Sequence, residues 1–181
     1  MKKARRSLPI VTLTITVLML CLIFSCQRQG VKGITEEQAR AIVDIYLQAR
    51  NEANLDLLDK IYHPDVLVHD CSAPQDIVGL EALKNYYSNT HTAFSDFDAS
   101  FGQMIVKADK IVWVWTFKAT NTGSFHTPLG DLPPTGKRVE FSGVAIDRIV
   151  NEKIVEEWVY FNVLDLLQQV GFTITPPKAK E

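Results

Sequence analysis

The stretch KRVEFSGVAIDRIVNEKIVEEWVYFNVLDLLQQVG, residues 137–171, predicts two long antiparallel strands followed by a short helix. Residues 138–150 alternate and are rich in β-branched side chains, and a two-residue turn leads into a second strand at 153–161. The apolar spacing of residues 163–170 is helical and stops at Gly171, which suits a left-handed residue at a helix end. We therefore expect a hairpin whose second strand runs directly into a helix.

A single polar residue, Asn162, stands between this strand and this helix, where it suits a helix N-cap. Period-two geometry also predicts that it shares one face of the strand with Ile154, Glu156, Trp158 and Tyr160. Such a face is typical of a pocket wall, although ordinary core packing explains its aromatic residues equally well. The opposite face carries Val155, Glu157, Val159 and Phe161.

A second hairpin is predicted upstream, between strands at 99–107 and 111–120. Neither face of its second strand is polar, so we expect both faces to be covered. Helices or a pocket would cover one face, and a second copy of the chain in a homodimer would cover the other. One side carries Trp113, Trp115, Phe117, Ala119 and Asn121.

Three helices are predicted in the amino-terminal half of the domain. The first begins at Thr35 with a capping box, and its apolar face carries Ala39, Ile42, Val43, Tyr46 and Ala49. A short second helix is predicted from Asn54 or Leu55 to Tyr62, and a third from Leu80 to about Asn89. Leu83, Tyr86 and Tyr87 of the third helix face either a pocket or the core.

Several segments in a fixed order resemble the SnoaL-like polyketide cyclases, often labelled ester cyclases. The downstream segments are PTGK (134–137), KIVEEW (153–158) and LLQQVG (166–171). The upstream segments are DVLVHD (65–70), VGLEALK (78–84) and TNTGSF (120–125). Together they span residues 36–171, and their order is more specific than any one of them.

The resemblance implies an α+β fold of the nuclear-transport-factor-two-like kind, in which a cone-shaped, curved mixed β-sheet is wrapped by three N-terminal helices and a short C-terminal helix. It also implies an apolar pocket that works without a metal or cofactor. In the cyclases, an Asp four residues after the Trp and a His in a Gly-Thr-His segment move protons. This chain has Asn162 and Asn121 at those places, and an amide does not titrate near neutral pH.

Few other residues could move a proton in such a pocket. His69 is the first candidate, because Asp70 follows it and could orient its ring, although a hydrogen-bonded structural His is also consistent with the pattern. Glu156 and Glu157 are the strand carboxylates. His126 lies in a Gly- and Pro-rich segment, 123–136, which we expect to be an irregular loop over the pocket mouth.

The amino terminus predicts a location. A basic start, an apolar run and the sequence Ile23-Phe-Ser-Cys26 resemble a bacterial lipoprotein signal peptide over residues 1–25, with Cys26 as the lipidated residue. Acyl chains on Cys26 would anchor the protein to a membrane of the cell envelope. Gln27 lacks an acidic retention signal, which favours the outer membrane. An uncleaved membrane anchor is the alternative.

The remaining organisation is simple. We expect a polar linker at 26–33, a single domain at 34–176 and a tail at 177–181. Removal of residues 1–25 would change the formal charge from −2 to −6, so nucleic acid is not an expected partner. Cys71 would then be the one unmodified cysteine, and no His or Cys spacing suggests a metal site.

Two functions from different classes follow from these residues. The first is binding of a small apolar, carbonyl-containing ligand, with aromatic pocket walls and two amide anchors. The second is a cofactor-independent acid/base enzyme, a cyclase, isomerase or hydrolase. In it His69 or Glu156 moves the proton, while the amides of Asn121 and Asn162 polarise a substrate carbonyl, so His69, Glu156 and Asn162 are the candidate catalytic residues. A protein-interaction domain with a filled pocket is a third, weaker interpretation. The ligand-binding residues of the first function are Trp113, Trp115, Asn121, Phe125, Trp158, Tyr160 and Asn162.

Overall fold

The computed structural model describes residues 33–127, 130–173 and 175, all within one compact unit of the chain. The predicted signal peptide, the lipidated Cys26, nearly all of the linker and the tail at 177–181 lie outside the described residues. Among the described residues, no helix has both the length and the apolar character needed to cross a bilayer.

A curved, open sheet of six strands forms the centre of the domain, with the strand order β2-β1-β8-β7-β4-β3. Only β1 and β8 pair in parallel, which makes the sheet mixed. Both predicted hairpins are present, and β3 begins five residues earlier than expected. The strands are β1 (Tyr62–Asp70), β2 (Ile77–Val78), β3 (Phe94–Lys107), β4 (Lys110–Asn121), β7 (Arg138–Val150) and β8 (Lys153–Phe161).

Three helical segments precede β3, as expected, but the second is a 3₁₀ helix, Leu55–Lys60. Helix α1 (Glu36–Asn51) has the predicted capping box and buries the predicted apolar face. Helix α2 (Leu80–Ala93) is one turn longer than expected. Helix α3 (Val163–Val170) ends at Gly171, whose φ of 116° confirms the left-handed residue.

The helices pack on one face of the sheet, which we call the inner face. Trp113 on β4 is almost fully buried there, and the centre of its ring lies 5.3 Å from the centre of the Tyr46 ring on α1. Helix α2 packs against β1, and α3 packs against β7. The core lies between the helices and this face and is divided into a larger cluster around Trp113 and a smaller one around Phe117.

The segment at 123–136 is not irregular throughout. It contains a small hairpin of β5 (Phe125–Thr127) and β6 (Gly130–Leu132), in which Phe125 pairs with Leu132. The Gly and Pro residues of this segment predicted a loop, and its two strands, of three residues each, are too short to show a period of two in the sequence.

Beyond residue 155, β8 alternates between its two faces as predicted, but Ile154 lies on the other face from the one predicted for it, and the predicted pocket wall is the outer face. Glu157 and Val159 lie on the inner face, whereas Tyr160 is 53% exposed on the outer face. The cause is a bulge: Ile149 pairs with Ile154 and the adjacent Arg148 with Glu156, so β8 contains one more residue than β7 at this point. The extra residue reverses the alternation along the rest of the strand.

The outer face of the sheet carries several exposed apolar side chains, including Ile105, Val114 and Tyr160. On β4 itself, Val114 is exposed on this side. The predicted homodimer through this face stays a prediction.

Candidate functional site

A cavity of about 100 Å³ lies between the inner face and the two long helices. We call it the chamber. Most of its wall is apolar, and ten of its lining residues are aromatic. These are Tyr46, Tyr86, Tyr87, Phe94, Trp113, Trp115, Phe117, Phe125, Phe141 and Phe161.

A second space of about 330 Å³, which we call the vestibule, adjoins the chamber. The two share Ser72, Tyr86, Thr90, Phe125 and Leu166 as wall residues. Helix α3 and strand β5 therefore form the boundary between the chamber and the wider space outside it.

The predicted aromatic walls are correct for β4 and β5. Trp113, Trp115 and Phe125 all line the chamber. The Trp115 ring lies directly over the backbone of Gly143, where a Cβ atom would come within 2.2 Å of the indole. Glycine at this position allows the large ring to lie flat against β7 and leaves the chamber open.

The polar end of the chamber is built around Glu157. Its side chain is buried, with 1% of the residue exposed, and it accepts a hydrogen bond of 2.8 Å from the Tyr62 hydroxyl. Burial raises the pKa of Glu157 well above its ordinary value, and the negative charge of Asp147 raises this pKa further. Burial therefore favours the protonated form of Glu157, which can donate a hydrogen bond to a ligand in the chamber.

Asp147 lies directly opposite Glu157 in the β7–β8 ladder. One of its carboxyl oxygens accepts a hydrogen bond of 2.8 Å from the Trp113 indole, and the other has no partner among the described residues. Burial raises the pKa of Asp147 to about 7. Two buried carboxyl groups side by side cannot both ionise without strong repulsion, which favours at least one proton on the pair.

Phenol groups surround these carboxyls. The Tyr46 hydroxyl donates to that of Tyr87 over 3.3 Å, and Tyr86 and Ser72 share a hydrogen bond of 2.9 Å. Burial raises the pKa of Tyr46 to about 12 and that of Tyr86 further still, so both hydroxyls keep their protons. Asp70 also lines the chamber and accepts hydrogen bonds from the Ser72 backbone N–H and hydroxyl.

Arg50 supplies the positive charge of the chamber. The residue is 6% exposed, and its guanidinium lies 3.9 Å from the centre of the Tyr87 ring and 5.1 Å from that of Phe97. Nearby His91 is kept neutral, because its burial and the charge of Arg50 lower its pKa to about 4. Neither residue was a predicted site residue.

Asn121 has a structural role in place of the predicted role in ligand binding. Its amide nitrogen donates to the backbone oxygens of Ala93 and Gly123, and its oxygen accepts from the backbone and hydroxyl of Thr135. These four bonds use the full hydrogen-bonding capacity of the amide. It ties the start of the 123–136 segment to its end.

Asn162 is an exposed helix N-cap and does not line the chamber or the vestibule. Its side-chain oxygen accepts a hydrogen bond of 3.1 Å from the backbone N–H of Asp165. The predicted N-cap is thus confirmed, and the predicted place of this amide in the pocket is wrong. The bulge in β8 explains the difference, since it turns the face that carries Trp158 and Tyr160 outward.

His69 and Glu156 lie on the outer face, so their predicted place in the pocket is also wrong. The His69 ring stacks on that of Trp158, with 5.3 Å between the ring centres. Its Nδ1 lies 2.9 Å from a carboxyl oxygen of Asp76, and its Nε2 lies 3.4 Å from one of Glu156. Asp76, not Asp70, orients the ring. Partial burial lowers the pKa of His69, but its hydrogen bonds to the two carboxylates outweigh this effect, and the pKa is raised overall.

The other predicted site residues outside the chamber, Glu156 and His126, each form a hydrogen bond with a nearby charged residue. Glu156 accepts a hydrogen bond of 2.9 Å from Arg148, which lowers the pKa of Glu156. His126 is exposed beside the vestibule and pairs with Asp131 at 2.6 Å. Among the described residues there is no cluster of three or more His, Cys, Asp or Glu that could hold a metal ion.

The sequence contained signals for the residues that were missed. Asp147 is the one acid in the segment VAIDRIV, residues 144–150, at a position that alternation places inside. Arg50 directly follows Ala49, the last residue of the predicted apolar face of α1. A charged residue beside a buried face indicates a buried interaction of that charge. Neither signal identifies a chamber until the helices are docked on the sheet.

These features define the class of the protein: an α+β domain of the nuclear-transport-factor-two-like kind, with a cavity between its helices and a curved sheet. The family model of SnoaL-like polyketide cyclases matches residues 40–170, and the chain belongs to this family. No curated protein matches the sequence.

Solved structures share the fold at low sequence identity. TsrD from Streptomyces laurentii superimposes with a TM-score of 0.68 at 22% identity, over 76% of this chain and 98% of that one. A SnoaL-like polyketide cyclase from Agrobacterium tumefaciens gives 0.57 at 20% identity, over 72% and 98%. A protein with a ketosteroid isomerase-like fold from Catenulispora acidiphila, in complex with trimethylamine, gives 0.61 at 16% identity, over 75% and 97%.

The raised pKa of Glu157 predicts how stability depends on pH. Between the ordinary carboxyl pKa of about 4.5 and the raised value, the folded state keeps a proton that the unfolded state has lost, so stability falls as pH rises. The substitution Glu157→Gln removes the titrating carboxyl group, and the glutamine side chain can still accept the hydrogen bond from the Tyr62 hydroxyl. From pH 4.5 to pH 8, we therefore expect the unfolding free energy of this variant to rise relative to that of the wild type.

Equilibrium urea unfolding of the full chain at a series of pH values measures this difference. Glu156→Gln is the matched control one residue away on the outer face. Because the folded-state pKa of Glu156 is lowered, that variant should lose stability relative to the wild type as pH rises through the ordinary pKa. A Glu157→Gln curve parallel to the wild-type curve would contradict the assignment.

Proposed function

We propose that this protein binds a small apolar molecule with a carbonyl group in the chamber. The observation that carries the proposal is a group of buried hydrogen-bond donors in the wall of a cavity that is otherwise mostly aromatic. A protonated Glu157 and the neighbouring phenols can donate to a carbonyl oxygen, and the ring walls can cover the apolar body of the ligand. Apolar pockets with a few convergent polar groups are typical of small-molecule sites.

From the sequence, two asparagines were expected to be the polar anchors of the ligand. We propose Glu157 and the tyrosines for that role, because the side chains of Asn121 and Asn162 form hydrogen bonds within the protein itself. The ligand would enter through the vestibule, between β5 and α3. Its apolar part would extend toward Leu166 and Phe125, which line both spaces.

Filling the chamber with protein should remove the ligand. Ala99 of β3 lines the chamber, so Ala99→Phe is expected to place a ring in it and to weaken ligand retention at least about tenfold through steric exclusion. Native mass spectrometry of the full chain, released from detergent micelles, measures the fraction that carries a co-purified small molecule.

Ser100→Phe is the matched control, since the same ring is then placed on the exposed side of the same strand. We expect the wild type and this control to retain the ligand equally. Equal retention by Ala99→Phe would place the ligand elsewhere and would count against the chamber. A wild type that carries no small molecule and binds no added ketone, such as 2-acetylnaphthalene, would overturn the proposal.

A second candidate function is acid/base catalysis on the same ligand, and one observation favours it. The chamber contains two carboxyl groups in different surroundings: Asp70 is hydrogen-bonded to Ser72, whereas Glu157 is kept protonated by burial. In such a pair, one group can take a proton from carbon while the other stabilises the developing oxyanion. The reaction class would be that of the isomerases and cyclases, and His69 and Glu156 would take no part in it.

The step itself is enolisation of a bound ketone. Asp70 would take a proton from the carbon next to the carbonyl, the C–H electron pair would form the enol double bond, and the Glu157 proton would pass to the carbonyl oxygen. Reversal in D₂O returns deuterium to that carbon. Mass spectrometry of 2-acetylnaphthalene should show exchange with the wild type, and at least about a hundredfold slower exchange with Asp70→Asn or Glu157→Gln.

Glu156→Gln is again the control and should exchange at the wild-type rate. Exchange that is absent from the wild type, or that survives both chamber substitutions, would leave ligand binding without catalysis as the function.

We also propose that the protein is a lipoprotein of the bacterial cell envelope, anchored through Cys26, with the outer membrane favoured. The support is the sequence of residues 1–27 alone. Mass spectrometry of the mature amino terminus, after expression in a bacterium, tests it. A diacylglyceryl group on Cys26 is the expected result, and a chain that still begins at Met1 would overturn it.

A further inference from the structure

Arg50 is a buried cation without an anionic partner. No hydrogen bond or ion pair joins its guanidinium to any residue in the part of the chain that the structure describes. One of its terminal nitrogens, Nη1, is fully buried and unpaired. Buried charges in proteins are normally paired, so an unpaired guanidinium in the wall of a cavity calls for a partner that enters the cavity.

The protein compensates this charge only in part. Its guanidinium carbon lies 3.9 Å from the centre of the Tyr87 ring and 5.1 Å from that of Phe97, so cation–π attraction offsets part of the charge. Arg50 also lies in the last turn of α1, where the helix dipole favours a cation. Neither effect supplies a hydrogen-bond acceptor for the N–H groups, which are the part of the guanidinium that binds a planar anion.

We infer that Arg50 binds the carboxylate of the ligand, so that the preferred ligands are small apolar carboxylic acids with a flat ring body. This inference rests on the proposed function, since it names the class of molecule that the same chamber would hold. A carboxylate offers two oxygens in one plane, which match the two parallel N–H groups of a guanidinium. The aromatic wall suits a flat ring system next to that group.

The other charged groups in the chamber are compatible with an anionic ligand. Asp70 already accepts two hydrogen bonds from Ser72, and no ion pair connects it to Arg50 among the described residues. Burial raises the pKa of Glu157, which favours its neutral form. A neutral Glu157 can donate to the bound acid, whereas an ionised one would repel it.

Two probes of the same shape separate charge from apolar contact. They are 2-naphthoate, which is a carboxylate, and 2-acetylnaphthalene, which is a neutral methyl ketone. Trp113 and Trp115 line the chamber, so quenching of tryptophan fluorescence in the full chain reports the dissociation constant of each probe. The decisive quantity is the ratio of the two constants.

The wild type should bind 2-naphthoate at least about tenfold more tightly than the ketone, as expected for a charge-assisted, two-point contact. In Arg50→Gln the two constants should become equal within about threefold. Arg40→Gln is the matched control, because Arg40 is an exposed arginine on the same helix that pairs with Asp44. It should keep the wild-type ratio.

Each other result is informative. Equal affinities in the wild type, or a wild-type ratio in Arg50→Gln, would overturn the inference and leave the proposed function in place. A wild type that binds neither probe would overturn both. If Arg50→Gln does not unfold cooperatively, Arg50→Lys replaces it: a ratio reduced several-fold supports the inference, since lysine keeps the charge without the planar fork, and an unchanged ratio overturns it.

Discussion

One irregularity in the ladder between β7 and β8 determines which side chains reach the interior. Opposite Arg148 and Ile149, strand β8 contains an extra residue, so Ile154 and Glu157 both face inward although they are three positions apart. A strand without this bulge would place Trp158 inside and Glu157 outside. The chemistry of the chamber and the character of the outer surface both follow from this single insertion.

The interior that results is an aromatic shell around a small set of polar groups. Buried carboxyl groups normally reduce stability unless each is neutralised or hydrogen-bonded. Here the structure does both, since Tyr62 and Trp113 each donate to one of them and burial favours their protonated forms. Apolar residues of similar volume often stabilise a core as well as buried ionisable groups do or better, which is consistent with the proposed role of these groups in ligand binding.

The two asparagines illustrate how a family position can change its role. In the cyclases that the sequence resembles, the corresponding positions are expected to move protons. In this chain Asn162 caps α3, and Asn121 joins the two ends of the 123–136 segment. Both tasks need an amide that donates or accepts within the backbone, and neither needs a group that titrates. The carboxyl groups that line the chamber come from β1 and β8 instead.

The sequence by itself determined the types of the long elements, the order of the strands in both long hairpins, the capping of α1 and α3 and the aromatic wall from β4. These features depend on local periodicity, caps and turns, which are written in neighbouring residues. The pocket face of β8 and the identity of the polar groups in the chamber were decided only by tertiary structure. A bulge breaks the alternation on which the prediction of faces rests, and the surroundings that protonate Glu157 and leave Arg50 unpaired are formed by elements that are distant in the chain.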